Sequence, residues 1–271
     1  MNSQLSYSQW KNKHASFLET LRVKHVILLF SGGNDSSLAM DFLLRAAKDF
    51  DFRFEAHAGA FPTHRYSNDE KNKLSLYWSK RGASLVWHQP PENDDNLSTA
   101  EVPCIYCQEM RKRMLKTFLP ELVPEWKKLV LITSYSLWDL VSYSIEHILA
   151  NLLSNPKKAK KSILDKRHME TSQRFYPVLT MKEGYTVFRP LIKCNGDEIR
   201  ELLTKTGIPT LSIPCKFADS RPKRILEEYY RKMGLRFDYD RLASFREACL
   251  DLPEMTAYTS LKKEEYLRHL F

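Results

Sequence analysis

The chain has no long hydrophobic run: no apolar stretch approaches the ~20 residues that a helical membrane span needs. Its first residues, Met1-Asn2-Ser3-Gln4, lack the basic and apolar regions of a signal peptide. Cysteine is sparse. Five residues in a chain of 271 do not make the disulfide framework of a secreted domain, so a reducing, cytoplasmic compartment is expected. A second Cys-x-x-Cys is missing, and with it the fourth thiolate of a zinc site. Also missing are the lysine that closes the P-loop of common ATPases and the spaced glycines of a dinucleotide fingerprint. Internal repeats and low-complexity tracts are absent. Apolar residues at 43% and charged residues at 28% describe a globular chain with room for one large α/β domain or two small ones.

Against these absences one segment stands out. His25-Val26-Ile27-Leu28-Leu29-Phe30 reads as a buried parallel strand, rich in β-branched and large apolar residues. From Ser37 to Asp49, Leu38, Phe42 and Leu43 recur at helical spacing. Between them lies Ser31-Gly32-Gly33-Asn34-Asp35-Ser36. Glycine permits positive φ and close approach of the backbone to a ligand. The free N–H groups of the following helix start, aided by its dipole, hold an anion. Strand, glycine turn and helix together predict a phosphate site.

Further along, the pattern alternates. A helix is expected over Tyr7–Val23, a strand over Phe52–Ala58, a helix over Asn68–Arg81 stopped by Gly82, and a strand over Ser84–His88. Pro90–Asn96 reads as a loop. A helix over Tyr106–Phe118, a strand over Leu129–Thr133 and a helix over Trp138–Leu153 follow. This order predicts a mostly parallel sheet with helices on both faces and ligands beyond the carboxyl ends of its strands. Ser31–Ser37, Ala56–Ala60 and Thr133–Asp139 meet on that edge. Asn155–Ser172 is polar and basic. Beyond it a hairpin is expected over Phe175–Leu179 and Tyr185–Phe188, then helices over Gly196–Thr206 and Pro222–Met233. Residues 236–271 are aromatic and charged and show no chemistry. The expected division is an N-terminal helix (1–23), a core that carries the phosphate site (24–154), a basic linker (155–175) and a C-terminal part (176–271).

Net charge is +9. Lys157, Lys158, Lys160, Lys161, Lys166 and Arg167 form one concentration, and Arg221, Lys223, Arg224, Arg231 and Lys232 a second. Such patches attract a polyanion by steering and counterion release, although charge runs alone usually mark a solvated surface. The second chemical feature is Pro103-Cys104-Ile105-Tyr106-Cys107 taken with Ile213-Pro214-Cys215. A Cys-x-x-Cys before a helix puts two thiols within reach of one metal or of each other. Three cysteines form a coherent ligand set for a [4Fe-4S] cluster with one iron left open. The plain alternative is structural thiols. Cys249 reads as packing. Lone histidines such as His57 and His64 are more often structural than pocket residues.

Ser31–Ser36 resembles the SGGxDS signature of the PP-loop ATP pyrophosphatases. With Gly59-Ala60-Phe61-Pro62, Cys104–Cys107 followed by Arg111 and Arg113, Arg189-Pro190-Leu191-Ile192-Lys193-Cys194 and Ile213-Pro214-Cys215, the chain resembles the tRNA 2-thiocytidine synthetase (TtcA-like) branch of the tRNA thiolases. The matching pieces run from about Val26 to Arg231. The resemblance implies cluster ligation by Cys104, Cys107 and Cys215, with Cys194 outside the ligand set. It implies ATP and Mg²⁺ as cofactors, tRNA as partner, sulfur from a cysteine desulfurase or free sulfide, and no membrane; it allows a homodimer. Two departures are visible. Asn34 replaces the usual lysine, and Ser134-Tyr135-Ser136-Leu137-Trp138-Asp139 keeps only the final carboxylate of the family's run after strand four.

On this reading Gly32, Gly33, Asn34 and the hydroxyls of Ser31, Ser36 and Ser37 hold pyrophosphate. The backbone of Ala56, His57 and Ala58 faces adenine. Asp35 caps the turn or helps hold Mg²⁺. Asp139 handles a proton or metal, and Arg111 counters charge near the cluster; for both, a salt bridge is the plain alternative. The expected activity is ATP- and cluster-dependent sulfur transfer to a base carbonyl of tRNA. Two alternatives stay open: a PP-loop enzyme acting on a small molecule, and a cluster- or nucleic-acid-binding relative without turnover.

Overall fold

The computed structural model describes residues 5–148 and 169–250. The chain divides into two compact units, Met1–Arg236 and Phe237–Phe271. In the first, α1 (Tyr7–Glu19) leads through a short 3₁₀ turn into β1 (His25–Leu29), followed by α2 (Asn34–Asp49), β2 (Phe54–Gly59), α3 (Asn68–Ser79) and β3 (Leu85–His88). Then come α4 (Asp95–Thr99), α5 (Pro103–Leu122), β4 (Leu129–Thr133) and α6 (Leu137–Ile148). Strands β5 (Val178–Thr180) and β6 (Thr186–Phe188) precede α7 (Gly196–Thr206) and α8 (Pro222–Lys232). The second unit contains α9 (Tyr239–Leu250).

Among the described residues six strands lie in the order β3-β2-β1-β4-β6-β5, parallel except for the β5–β6 hairpin. Strand β1 is central because every residue of Val26–Leu28 is apolar and buried, as a strand covered on both faces requires. The chain builds outward through β2 and β3 and then returns to place β4 on the other side of β1. The carboxyl ends of β1 and β4 therefore flank a topological switch point, where open α/β sheets bind ligands.

Side chains alternate across the sheet. Val26, Leu28, Ala56, Ala58, Val130 and Ile132 meet Trp10 and Leu18 of α1, Phe42 of α2, Trp78 of α3 and Ile199 of α7. Ile27, Leu129 and Leu131 meet Phe118 and Leu119 of α5 on the opposite face. Burial of each large side chain contributes about 1.5–3 kcal/mol.

Some boundaries differ from expectation. Helix α2 starts three residues early, at Asn34, because Gly33 in extended conformation serves as its N-cap. The Cys-x-x-Cys lies inside α5 rather than before it: Pro103 occupies the first helical position, where its missing N–H costs nothing. The expected loop at Pro90–Asn96 gives way to α4 at Asp95. The hairpin extends the main sheet, since β6 pairs with β4 in parallel. Lys157, Lys158, Lys160, Lys161, Lys166 and Arg167 lie outside the described residues.

Candidate functional site

The glycine turn after β1 carries the first half of the site. Gly32 has φ +68°, and a Cβ there would stand 2.7 Å from Leu211 Cγ, so conformation and packing both require glycine. The first intrahelical bond of α2 runs from the Ser37 N–H to the Gly33 carbonyl (3.0 Å). The N–H groups of Asn34, Asp35 and Ser36 thus have no intrahelical acceptor and face the end of the helix. Ser36 Oγ donates to the Gly33 carbonyl (3.0 Å) and lies 3.1 Å from Ser31 Oγ. The Ser37 hydroxyl is buried without a partner. Burial pushes the Asp35 carboxyl up to about 6, with the Lys223 ammonium acting against it.

The third cysteine reaches this turn through a chain of hydrogen bonds. The Leu211 N–H donates to the Gly32 carbonyl (2.7 Å). The Ser212 N–H and hydroxyl donate to Glu70 of α3 (2.8 and 2.6 Å), and Arg65 Nε donates to the Ile213 carbonyl (3.1 Å). The Lys216 N–H donates to His64 Nε2 (3.1 Å), so Nδ1 carries the imidazole proton and donates to Asp94 (2.5 Å). Although burial opposes it, hydrogen bonds from His64 and Thr63 hold Asp94 below the usual carboxylate range. Cys215 therefore sits on a segment fixed at both ends, and His64 is one of the residues that fix it.

Arg111, one turn beyond Cys107, joins the two halves. Its Nε donates to the Phe61 carbonyl (2.9 Å) and its Nη2 to the Tyr66 hydroxyl (3.2 Å), which donates to the Ser31 carbonyl (3.1 Å). Cys104, Cys107 and Cys215 are free and half-buried. Burial pushes the Cys104 and Cys107 thiols up. Arg221 draws the first down and Arg111 the second, while Cys215 raises both. The three thiols thus act on one another, and the guanidinium groups favour thiolate. Cys194 is different: burial takes it up to about 12, as for an inert core thiol.

Among the described residues, no three His, Cys, Asp or Glu side chains converge as the ligands of a single metal ion would. A set of three thiols on which two guanidinium groups act fits an iron–sulfur cluster by ligand type. It does not fit tetrahedral zinc.

Asp139 stands at the start of α6, beyond β4. Its Oδ2 accepts from the Ser136 N–H and hydroxyl (2.9 Å each), and its Oδ1 pairs with Lys223 of α8. It is 1% exposed, a helix cap and ion-pair partner together. Trp138 is 1% exposed and does not line the cavity beside Cys104. It is buried against Gly196, where a Cβ would stand 2.8 Å from its ring, and against Tyr230. A cavity of about 70 Å³ opens beside Cys104, walled by Gln108, Tyr143, Glu146, Arg174 and Arg221.

Ala56 and Ala58 are buried in the main core, while His57 turns to the α5 face, 2.9 Å from His88 and 3.1 Å from Glu55. Any contact these three make with a nucleotide runs through main chain. The second basic concentration divides. Arg224, Arg231 and Lys232 are exposed, but Arg221 and Lys223 turn inward and belong to the site. Sequence reasoning missed Lys223, Tyr66, the His64–Asp94 pair and the Glu70–Ser212 clamp. Pro222 one residue before Lys223 was the available signal, since it starts the helix that aims the lysine.

No protein-family model matches the sequence, and no curated protein is similar to it. Among solved structures, the chain is similar to U34-tRNA thiolase NcsA from Methanococcus maripaludis with its [4Fe-4S] cluster. The TM-score is 0.55 at 13% identity, covering 84% of this chain and 73% of that one. It is also similar, more loosely, to NH3-dependent NAD synthetase from Campylobacter jejuni (TM-score 0.45, 13% identity, 98% and 95% covered). The chain has the PP-loop α/β fold.

Proposed function

We propose that the protein is an ATP-dependent tRNA sulfurtransferase whose three cysteines hold a [4Fe-4S] cluster. The observation that carries this reading is the hydrogen bond from the Leu211 N–H to the Gly32 carbonyl. It fastens the cysteine-bearing segment to the anion-binding turn, so an activated substrate and a sulfur source meet at one edge. The similarity in fold to a thiolase and the chain's positive charge support tRNA as the partner.

The N–H groups at the start of α2 and the hydroxyls of Ser31, Ser36 and Ser37 hold the polyphosphate of ATP, with Mg²⁺ neutralising charge and Asp35 within its reach. The carbonyl oxygen of the target base attacks the α-phosphorus. The bond to the bridging oxygen breaks, and pyrophosphate leaves. Hydrosulfide then adds to the activated carbon. The C–O bond breaks, AMP leaves with its oxygen, and the remaining sulfur proton is released; no net oxidation occurs. Cys104, Cys107 and Cys215 would hold the cluster, which supplies one iron that no protein thiolate fills. Arg111 keeps positive charge between sulfur and phosphate, and placing the two reactants together supplies most of the rate.

The altered Ser134–Asp139 segment favours a second reading. With Asp139 occupied by Ser136 and Lys223, a small-molecule acceptor could replace the base. Anaerobic purification, iron and labile-sulfide analysis, and mass spectrometry of nucleosides from tRNA incubated with ATP and sulfide decide between them. About four irons per chain and tRNA-dependent pyrophosphate release with a thiolated nucleoside are expected. Iron-free protein that turns over ATP without regard to tRNA overturns the proposal in favour of the second reading.

A further inference from the structure

The anion-binding turn has no cation of its own. Between Ser31 and Ser37 the single charged residue is Asp35, and Asn34 precedes it. A cation from elsewhere nevertheless acts on its carboxylate: Lys223 draws Asp35 down against burial. Lys223, at the start of α8, is 12% exposed; its ammonium pairs with Asp139 and lies 3.3 Å from Glu227. Arg200 of α7 packs its guanidinium 4.7 Å over the Trp138 ring and leaves Nη2 buried without a hydrogen-bond partner. At the carboxyl ends of β1 and β4, the hydroxyls of Ser37, Thr133 and Ser134 are likewise buried without partners.

Buried polar groups are normally satisfied. Here three buried hydroxyls and the N–H groups of a helix start follow the neighbouring strands β1 and β4, Lys223 pairs with Asp139 just beyond β4, and both Lys223 and Arg200 act on the Asp35 carboxyl of the turn. An anion with many acceptor oxygens is the partner that completes them. The Asp139–Lys223 pair also makes little sense as a structural staple. Ser136 already satisfies one oxygen of Asp139, and a buried ion pair is weak support for stability compared with apolar packing.

We propose that Lys223 binds the polyphosphate of the nucleotide, with Asp139 holding its ammonium at the crevice between β1 and β4. The proposal rests on the nucleotide reading of the site. Lys223 supplies from α8 the charge that the turn lacks. Asp139 is then a positioning residue, fixed by Ser136, and needs no acid–base role.

The test is calorimetric titration of the full chain with ATP and with AMP in Mg²⁺. It compares the unaltered protein, Lys223→Arg and the double variant Asp139→Asn/Lys223→Met, in which Asp139 loses its charge with its partner and Glu227 keeps Arg224 at 3.3 Å. The double variant is expected to bind ATP about tenfold or more weakly while AMP affinity holds, because a charge-assisted contact to the outer phosphates is lost. Lys223→Arg should keep ATP binding. In the unaltered protein, ATP but not AMP should slow acetylation of Lys223, which covers the case of a misfolded variant. Unchanged ATP affinity in the double variant, an equal loss of ATP and AMP, or acetylation indifferent to ATP overturns the proposal. Failure of the unaltered protein to bind either nucleotide overturns the nucleotide reading itself.

Discussion

The turn at Ser31–Gly33 and the segment Leu211–Lys216 face each other across one hydrogen bond, yet they hold their shapes by different means. The turn is made by its own backbone: a positive φ at Gly32, an extended Gly33 and a helix that begins at once. The residues that set its backbone path lie within seven consecutive positions. The segment that carries Cys215 has no regular structure, and its conformation is imposed from elsewhere. Glu70, Arg65 and His64 reach it from the region after β2, and the Gly32 carbonyl reaches it from the turn. The phosphate half of the site is a local property of the sequence. The sulfur half is a property of the fold.

That contrast can be broken from either side. The largest effect is expected from Gly32→Ala. The left-handed backbone and the clash with Leu211 together should cost about 2–4 kcal/mol. Because Leu211 must move, the change should also disturb the cysteine segment, read as a lower urea midpoint together with weaker iron retention. A variant as stable as the parent would show that the two halves are not interlocked.

Asp94→Asn should act on the sulfur half alone. Losing the charged acceptor of His64 should cost about 1–3 kcal/mol. Asp94 is held below its ordinary value, so its contribution is fully present above that value and fades as pH falls through the folded one. Stability measured by urea titration from pH 6 down to pH 3 should fall less steeply in the variant than in the parent. Parallel profiles would remove Asp94 from the account.

The smallest effect belongs to Ser37→Ala. Its hydroxyl has no partner, so folding stability should stay within about 0.5 kcal/mol or rise slightly, while affinity for ATP falls. Stability lost without any change in nucleotide binding would instead mark Ser37 as part of the core.

The same contrast explains what was legible in the sequence. The β-branched run at His25–Leu29, the glycine pair and the apolar spacing of α2 are local signals, and they give the first strand, the turn and the helix after it, whereas the strand order comes from the fold. Gly196–Thr206 matches its helix because Glu198 at its N-terminus and Gly207 at its C-terminus, both ordinary end signals, mark it. Lys223 was hidden among basic residues that read as one exposed patch. Which of them turns inward depends on Asp139, far away in sequence. The His64–Asp94 pair joins two loops, and no periodicity connects them. Trp138 could be placed only with Gly196, whose bare Cα makes room for its ring.

The position of Cys215 has a consequence for how the protein is made. Cys104 and Cys107 leave the ribosome together, on the first turns of α5, when only three strands of the sheet have been synthesised. Cys215 follows after β4, the β5–β6 hairpin and α7, and it comes to rest only when it meets Gly32, Glu70 and His64, which have long been waiting. A nascent chain therefore presents two of these thiols without the third for much of its synthesis. Any group that requires all three sulfurs is admitted at the end, so its uptake reports that the last segment has found its place.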